Sequence, residues 1–143
     1  MQHEPFVIER TFNAPANKVW DAITNKDQMK EWYFNIADFK PEMGFEFTFN
    51  GTNEGETFVH LCKITEVIPG RKLTHSWTYK DYSGESFVTW ELYPEGNKTR
   101  LVLTHKGLET FPDTAQQHFA KANFEKGWTY IVGTSLPNYL EKA

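Results

Sequence analysis

The chain begins with alternation. In PFVIERTF, Phe6, Ile8 and Phe12 share one parity, which predicts a half-buried strand, and Arg10 is a charge on that same parity. The period then becomes helical. APANKVWDAIT places Val19, Ala22 and Ile23 on one edge of a short helix, with Pro15 acceptable in its first turn. A second short helix follows in NKDQMKEWY. Asn25 and Gln28 stand at capping-box spacing, and Asp27 suits the positive end of a helix. After Pro41 and Gly44 the period drops to two. GFEFTFNG puts Phe45, Phe47 and Phe49 on one face and ends in the turn NGTNEG. TFVHLCKITEVI is a long strand closed by Pro69-Gly70. KLTHSWTYK sets Leu73, His75, Trp77 and Tyr79 against Thr74, Ser76 and Thr78. The turn DYSGE leads to SFVTWELYP, with Val88, Trp90 and Leu92 on one side. EGN leads to KTRLVLTHKG, with Leu101, Leu103 and His105 on one side. Short loops between such strands make an antiparallel meander.

Pro112 and Asp113 open a C-terminal stretch of helical period. Phe124, Trp128, Ile131, Ser135 and Tyr139 recur at steps of three or four, and Val132, Leu136 and Leu140 broaden the stripe. A band that wide must be covered by something large, and the inner face of the meander is the available partner. The order strand, two short helices, a run of strands and one long helix defines an α+β fold, with helices on one side of an antiparallel sheet. Gly127, Gly133 and Pro137 all weaken the long helix. Gly127 would let the backbone beside Trp128 approach the sheet. Pro137 has no N–H for the carbonyl of Gly133, so the helix should bend in its C-terminal third.

No linker, repeat or low-complexity stretch divides the 143 residues, which suit one domain spanning 1–143. Aromatic residues reach 16%, enough to wall a pocket as well as fill a core. The net charge of −4 and the lack of any basic run argue against nucleic-acid binding. The single cysteine, Cys62, excludes an internal disulfide and fits a reducing compartment. No apolar run approaches the roughly twenty residues of a membrane span, and MQHEPFVIER lacks signal-peptide anatomy. The expectation is a cytoplasmic protein without membrane insertion.

FNAPANKVWDAIT near the start and GWTYIVGTSLPNYLEK at the end bracket the meander, with MKEWY, GFEFTF, PGRKLTHSW, VTWEL and TRLVLTHKGL between them in order. This ensemble resembles the SRPBCC superfamily, also called START-like or birch-pollen-allergen-like. Within it, the chain is most similar to the group named after the heat-shock-protein-90 ATPase activator homologues. The likeness runs across essentially the whole chain, and its motifs are packing signatures rather than catalytic ones. It implies a helix-grip fold: a curved antiparallel sheet of six or seven strands wrapped around the long C-terminal helix, with two short helices after the first strand. It further implies a cavity between sheet and helix that takes a small hydrophobic or amphipathic ligand; with no glycine-rich phosphate loop, no Ser–His–Asp arrangement and no paired carboxylates in the sequence, neither catalysis nor a cofactor is expected. The name of the group implies an alternative, a chaperone co-factor that acts as a protein-interaction module. Because some members of the superfamily are enzymes, a cyclase or hydrolase using His75 or His105 is a third reading.

Parity selects the residues aimed at such a cavity. They are Phe47, Phe49, Cys62, His75, Trp77, Trp90, Leu101, Leu103 and His105 from the sheet, Trp128 and Val132 from the helix, and Trp32 near the mouth. The lining is aromatic with a few polar tips, and His75 and His105 have a near-neutral ordinary pKa. Zinc deserves a test because His60, Cys62, His75 and His105 share the inner parity. Counting hairpin registers puts Cys62 opposite Trp77, Trp77 near Val88, and Val88 near His105, with His75 in the next row beside Ile64 and Trp90. Cys62 and His105 are then about 14 Å apart at ~4.8 Å per strand, too far to share an ion with ligands at roughly 2.0–2.3 Å. No metal is expected. Cys62 and His75 would sit diagonally, with α-carbons roughly 7–8 Å apart and no third group to orient the histidine. A buried cysteine there is a small hydrophobe. Arg10 could hold a ligand carboxylate, but the plainer expectation is a neighbouring Glu partner or emergence at the sheet edge. Glu54, Glu56, Glu85, Glu91 and Glu95 fall in turns or on outward parity and read as a solvated face.

Overall fold

The computed structural model describes residues 5–33, 36, 38–53, 56–80, 82–111 and 121–142. The elements are β1 (Phe6–Phe12), α1 (Ala16–Thr24), α2 (Lys26–Trp32), β2 (Glu46–Asn53), β3 (Glu56–Ile68), β4 (Lys72–Tyr79), β5 (Tyr82–Glu95), β6 (Lys98–Lys106), a 3-10 turn (Leu108–Thr110) and the C-terminal helix. The strands form one antiparallel sheet in the order β1-β6-β5-β4-β3-β2, which makes β1 and β2 its edges. β2 to β6 run as successive hairpins, and β1 returns to pair with β6, Phe6 opposite His105 and Phe12 opposite Thr99. Register shifts between Ile64 and Glu66 and between Trp77 and Tyr79 mark where β3 and β4 depart from a regular ladder. Irregularities of this kind bend a strand and sharpen its twist, and the sheet is curved around the helix as a helix grip.

The two short helices are joined at a single residue. Asn25 donates its backbone N–H to Asp21 and ends α1. Its side-chain oxygen then accepts from the N–H groups of Asp27 and Gln28, at 2.9 and 3.1 Å, and starts α2. These are two of the amides an α-helix leaves without internal partners. Val19, Ala22 and Ile23 of α1, with Met29 and Trp32 of α2, are buried against the core.

The C-terminal helix has three parts: α3 (Lys121–Tyr130), a π-helical turn (Ile131–Ser135) and α4 (Leu136–Lys142). Its buried ridge is Phe124, Trp128, Val132, Leu136 and Leu140, spaced by four. Burying a side chain of this size contributes roughly 1.5–3 kcal/mol before entropy is charged against it. Ile131, Ser135 and Tyr139 flank that ridge half-buried, so the stripe is centred one residue away from the sequence reading. The expected irregularity is present, and it takes the form of a π turn. The N–H of Leu136 reaches back five residues to the carbonyl of Ile131, immediately before Pro137. Proline cannot continue the regular ladder, and one wider turn absorbs the missing donor. The role expected of Gly127 is not borne out: it is exposed, and a Cβ there would touch nothing. Gly133 is the glycine that faces the sheet, with the Arg10 guanidinium 3.5 Å from where its Cβ would stand. Pro112 and Asp113, expected to open this stretch, lie outside the described residues, as does Glu54.

The counted registers hold at two hairpins and fail at one. Ile64 pairs with His75, with Leu61 opposite Thr78 on the same register, and Val88 pairs with His105. Trp77, however, faces Ser86, and His75 faces Val88, two residues from the expected partners. The β4–β5 hairpin closes early, at Tyr79 opposite Tyr82, so most of DYSGE belongs to β5 rather than to a loop.

Candidate functional site

The residues selected by parity converge inside the sheet. Trp32, Phe47, Phe49, Cys62, His75, Trp77, Trp90, Leu101, Leu103, His105, Trp128 and Val132 are all buried. Leu101 and Leu103 form the wall toward β1, opposite Arg10 and Ile8. Phe47, Phe49 and Cys62 lie on β2 and β3 at the other side, with Phe47 opposite Cys62. Trp77 and Trp90 stand between these walls, with ring centres 5.5 and 5.7 Å from Trp128 of the helix. Trp32 departs from expectation. It lies in the interior rather than at a mouth, its indole N–H donating to the carbonyl of Ala22 at 3.0 Å.

Each histidine among these residues is held by both ring nitrogens. The Trp128 indole can only donate, so at 2.9 Å it makes His105 Nδ1 an acceptor. His105 therefore carries its proton on Nε2 and donates to Ser86 Oγ at 2.7 Å, and Ser86 donates onward to the carbonyl of Trp77 at 3.2 Å. His75 has the opposite tautomer. Its Nδ1–H donates to the carbonyl of Ser76 at 3.0 Å, and its Nε2 accepts from the Trp90 indole at 3.4 Å. Burial pushes the His75 pKa down to about 4. Burial, aided by repulsion from His75, pushes His105 down to about 3. Both rings are neutral at physiological pH, and acid–base work by either would first require breaking its network.

Cys62 is buried, and burial alone raises its thiol well above the ordinary range. A thiol of that kind is inert, the opposite of an activated nucleophile. His60 stacks on Phe49 with ring centres 4.4 Å apart, and its Nδ1 bonds the carbonyl of Phe58 at 3.0 Å. Among the described residues, no three His, Cys, Asp or Glu side chains are grouped to hold a metal ion. Arg10 emerges exposed on the edge strand and donates to the carbonyl of Glu9 at 2.8 Å. Glu85 and Glu95 are exposed, and Glu91 is half-buried on the outward side.

Among the described residues, the space found between the helices and the sheet is small. Beneath the C-terminal helix, Trp128 meets Trp77 and Trp90, and these indoles occupy the gap. A void of about 10 Å³ lies instead between α1–α2 and the sheet. Ile23 and Met29 wall it from the helices, Phe39 from the connection to β2, and Phe47, His75 and Trp90 from the sheet. Its volume is at the lower limit for one water. A larger concavity of about 310 Å³ lies across β2–β4, where Thr48, Leu61, Lys63 and Thr78 line it with Glu46 and Glu85. Phe47, Cys62 and Ser76 also line it, so its wall mixes apolar side chains with charged and hydroxyl-bearing ones.

Two residues that matter here were missed by the sequence reading. Ser86 is fully buried and links His105 to Trp77. It shares the parity of Val88 and Trp90, which would have identified it. Tyr33 buries its hydroxyl, and its ring lies 5.9 Å from Trp90 and 6.2 Å from Trp128. It is the C-cap of α2 with non-helical dihedrals, so no helical period gives its direction. Burial, followed by the nearby Cys62 and Tyr79, raises its pKa well above the ordinary value.

Solved structures with this architecture are numerous. Protein MLL2253 from Mesorhizobium loti is 25% identical over 98% of both chains, with a TM-score of 0.76. Protein BH1534 from Bacillus halodurans is 26% identical, covering 95% of this chain and 96% of that one, with a TM-score of 0.71. CV1439 from Chromobacterium violaceum superposes at a TM-score of 0.82 over 99% of both chains at 17% identity, a likeness of fold alone. No functionally curated protein matches the sequence. The helix-grip topology and these neighbours place the chain in the SRPBCC superfamily. The family model described as Activator of Hsp90 ATPase homolog 1-like protein matches residues 13–141, and the chain belongs to that family.

Proposed function

We propose that this protein binds a small hydrophobic or amphipathic molecule in the aromatic interior between the sheet and the helices. The observation that carries the reading is the void beside His75 and Trp90. There an almost wholly apolar wall is broken by two polar tips whose mutual hydrogen bond is stretched to 3.4 Å. A ligand hydroxyl placed between them would accept from the indole and donate to the imidazole at better distance, and a ligand carbonyl would accept from the indole. Among the described residues, anything larger than water must displace a side chain to enter this void. Pocket shape would set selectivity, with Trp77, Trp90 and Trp128 as fixed walls. The test is a melting-temperature and tryptophan-fluorescence screen of the wild-type protein against fatty acids, sterols and polycyclic aromatics. The expected result is saturable quenching with a rise in melting temperature for at least one class. A flat response across all classes refutes the reading.

Family membership favours a second reading, a protein-interaction role toward a chaperone ATPase. Added to the heat-shock-protein-90 ATPase, the protein would then raise the hydrolysis rate in a concentration-dependent way, and an unchanged rate removes that role. Among the described residues no helix is long and apolar enough to cross a membrane.

A further inference from the structure

Tyr33 is the first residue beyond α2, and its N–H still closes the helix on Met29 at 2.7 Å. Its ring turns inward into a cage of other rings. Trp32 and Trp128 lie nearly parallel to it, with ring centres at 5.1 and 6.2 Å and interplanar angles of 26° and 21°. Trp90 meets it edge-on at 5.9 Å, and Phe49 lies tilted, also at 5.9 Å. Trp32 and Trp128 are pinned from outside the cage, to the carbonyl of Ala22 and to His105, while Trp90 holds His75 more loosely at 3.4 Å. The main chain beside Tyr33 is pinned too, since Ser135 of the π turn donates to the carbonyl of Trp32 at 2.6 Å. The residue as a whole is only half-buried although its hydroxyl is inside, so another part of it reaches solvent. Rotation about the Cα–Cβ bond of Tyr33 would move the ring without unwinding α2.

We propose that the cage formed by Trp32, Phe49, Trp90 and Trp128 is a binding site for a single aryl ring of a ligand, and that Tyr33 is its resident occupant. This rests on the ligand-binding reading above and specifies it: the preferred ligand carries a planar aromatic ring. The geometry selects that class. Flat faces at stacking and edge distances are matched by another flat ring, and a puckered saturated ring of the same size cannot meet them all. Walls already fixed by hydrogen bonds lose little freedom on binding. Removing the Tyr33 ring would vacate a volume on the order of 100 Å³, comparable with engineered apolar cavities that take up benzene.

The experiment uses the full chain with Tyr33→Ala and two probes. One is p-cresol, which is the tyrosine side chain as a free molecule, and the other is its saturated analogue 4-methylcyclohexanol. The expected result is that p-cresol raises the melting temperature of Tyr33→Ala and binds it at least tenfold more tightly than it binds the wild type, where Tyr33 competes. It should also bind the variant roughly tenfold more tightly than 4-methylcyclohexanol does. Equal affinity for variant and wild type, or for the two probes, overturns the proposal. A second measurement covers a variant that does not fold. Wild-type protein is treated with tetranitromethane with and without 1-naphthol, and nitration of Tyr33 is read by peptide mass spectrometry. A naphthol-dependent rise supports exchange. No rise, whether because naphthol binds elsewhere or does not bind, overturns the proposal in that case. The two readings fail separately. If the wild type takes up screened compounds with Tyr33 still protected, the cage proposal falls and ligand binding stands. If p-cresol fills Tyr33→Ala as expected but the wild type binds nothing, the cage stands and the native ligand-binding function falls.

Discussion

Two neutral histidines sealed in the core make acid the most informative perturbation. In an unfolded chain a histidine takes up its proton near pH 6.5. In the folded protein His75 resists until about 4 and His105 until about 3. Above pH 6.5 neither state is charged and the pair does not alter stability. Below it the unfolded chain gains protons that the folded one refuses, so stability falls, and the fall levels off only beneath the two folded values. With two protons at stake the slope reaches about 2.7 kcal/mol per pH unit. At pH 5 each ring has cost about 2 kcal/mol, together about 4 kcal/mol relative to pH 8. Against a total of about 5–15 kcal/mol for an ordinary domain, that is a large share.

The window from pH 6.5 to 5 isolates the histidines, because carboxylates titrate mainly below it. Urea unfolding followed by tryptophan fluorescence at several pH values gives the free energy, and its slope gives the proton number. Replacing His105 by Gln keeps a donor and an acceptor of similar reach but removes the titration, so the slope should drop by about half. Long-range proton–nitrogen NMR spectra at pH 6.5 should show the Nδ1–H tautomer for His75 and the Nε2–H tautomer for His105. A stability slope below about 1 kcal/mol per pH unit, or a charged imidazole signal from either ring at that pH, would refute the reasoning.

Trp128→Phe keeps the ring in the cage but withdraws the donor from His105 Nδ1. The orphaned buried acceptor should cost about 1–3 kcal/mol in chemical denaturation, and a loss under ~0.5 kcal/mol would mean the bond carries no weight. Gly51→Ala would place a Cβ 2.7 Å from His60 Cε1, on a ring already wedged against Phe49 and Trp77. Alanine ordinarily helps a strand, but here overpacking should win by about 1–3 kcal/mol, and an unchanged denaturation midpoint would show that the His60 ring gives way freely.

The sequence disclosed the fold through periodicity, because a strand exposes its parity and a helix its stripe. Asn25 announced the junction of α1 and α2, since a side chain able to cap has few other reasons to stand between two helical runs. Pro137 announced an irregular turn, though the missing donor alone could not decide between a bend and a π turn. Register was legible only where the turn was short and unambiguous. Across Pro69-Gly70 and EGN the counts held; across DYSGE the hairpin closed two residues early, and the row containing Trp77 shifted with it. The membership of the interior was legible for the same reason as the fold, since parity states which side a residue faces. What parity cannot state is how far two opposed side chains reach. Whether Trp77, Trp90 and Trp128 enclose a space or fill it depends on a few ångströms of sheet curvature, set by irregularities at Ile64–Glu66 and Trp77–Tyr79 that leave no periodic trace. Tyr33 escaped notice because it stands where a helix ends and no period continues to give its direction. The residue that most nearly decides whether the interior is open therefore lies where pattern-based reading is weakest, and its role follows from ring geometry alone.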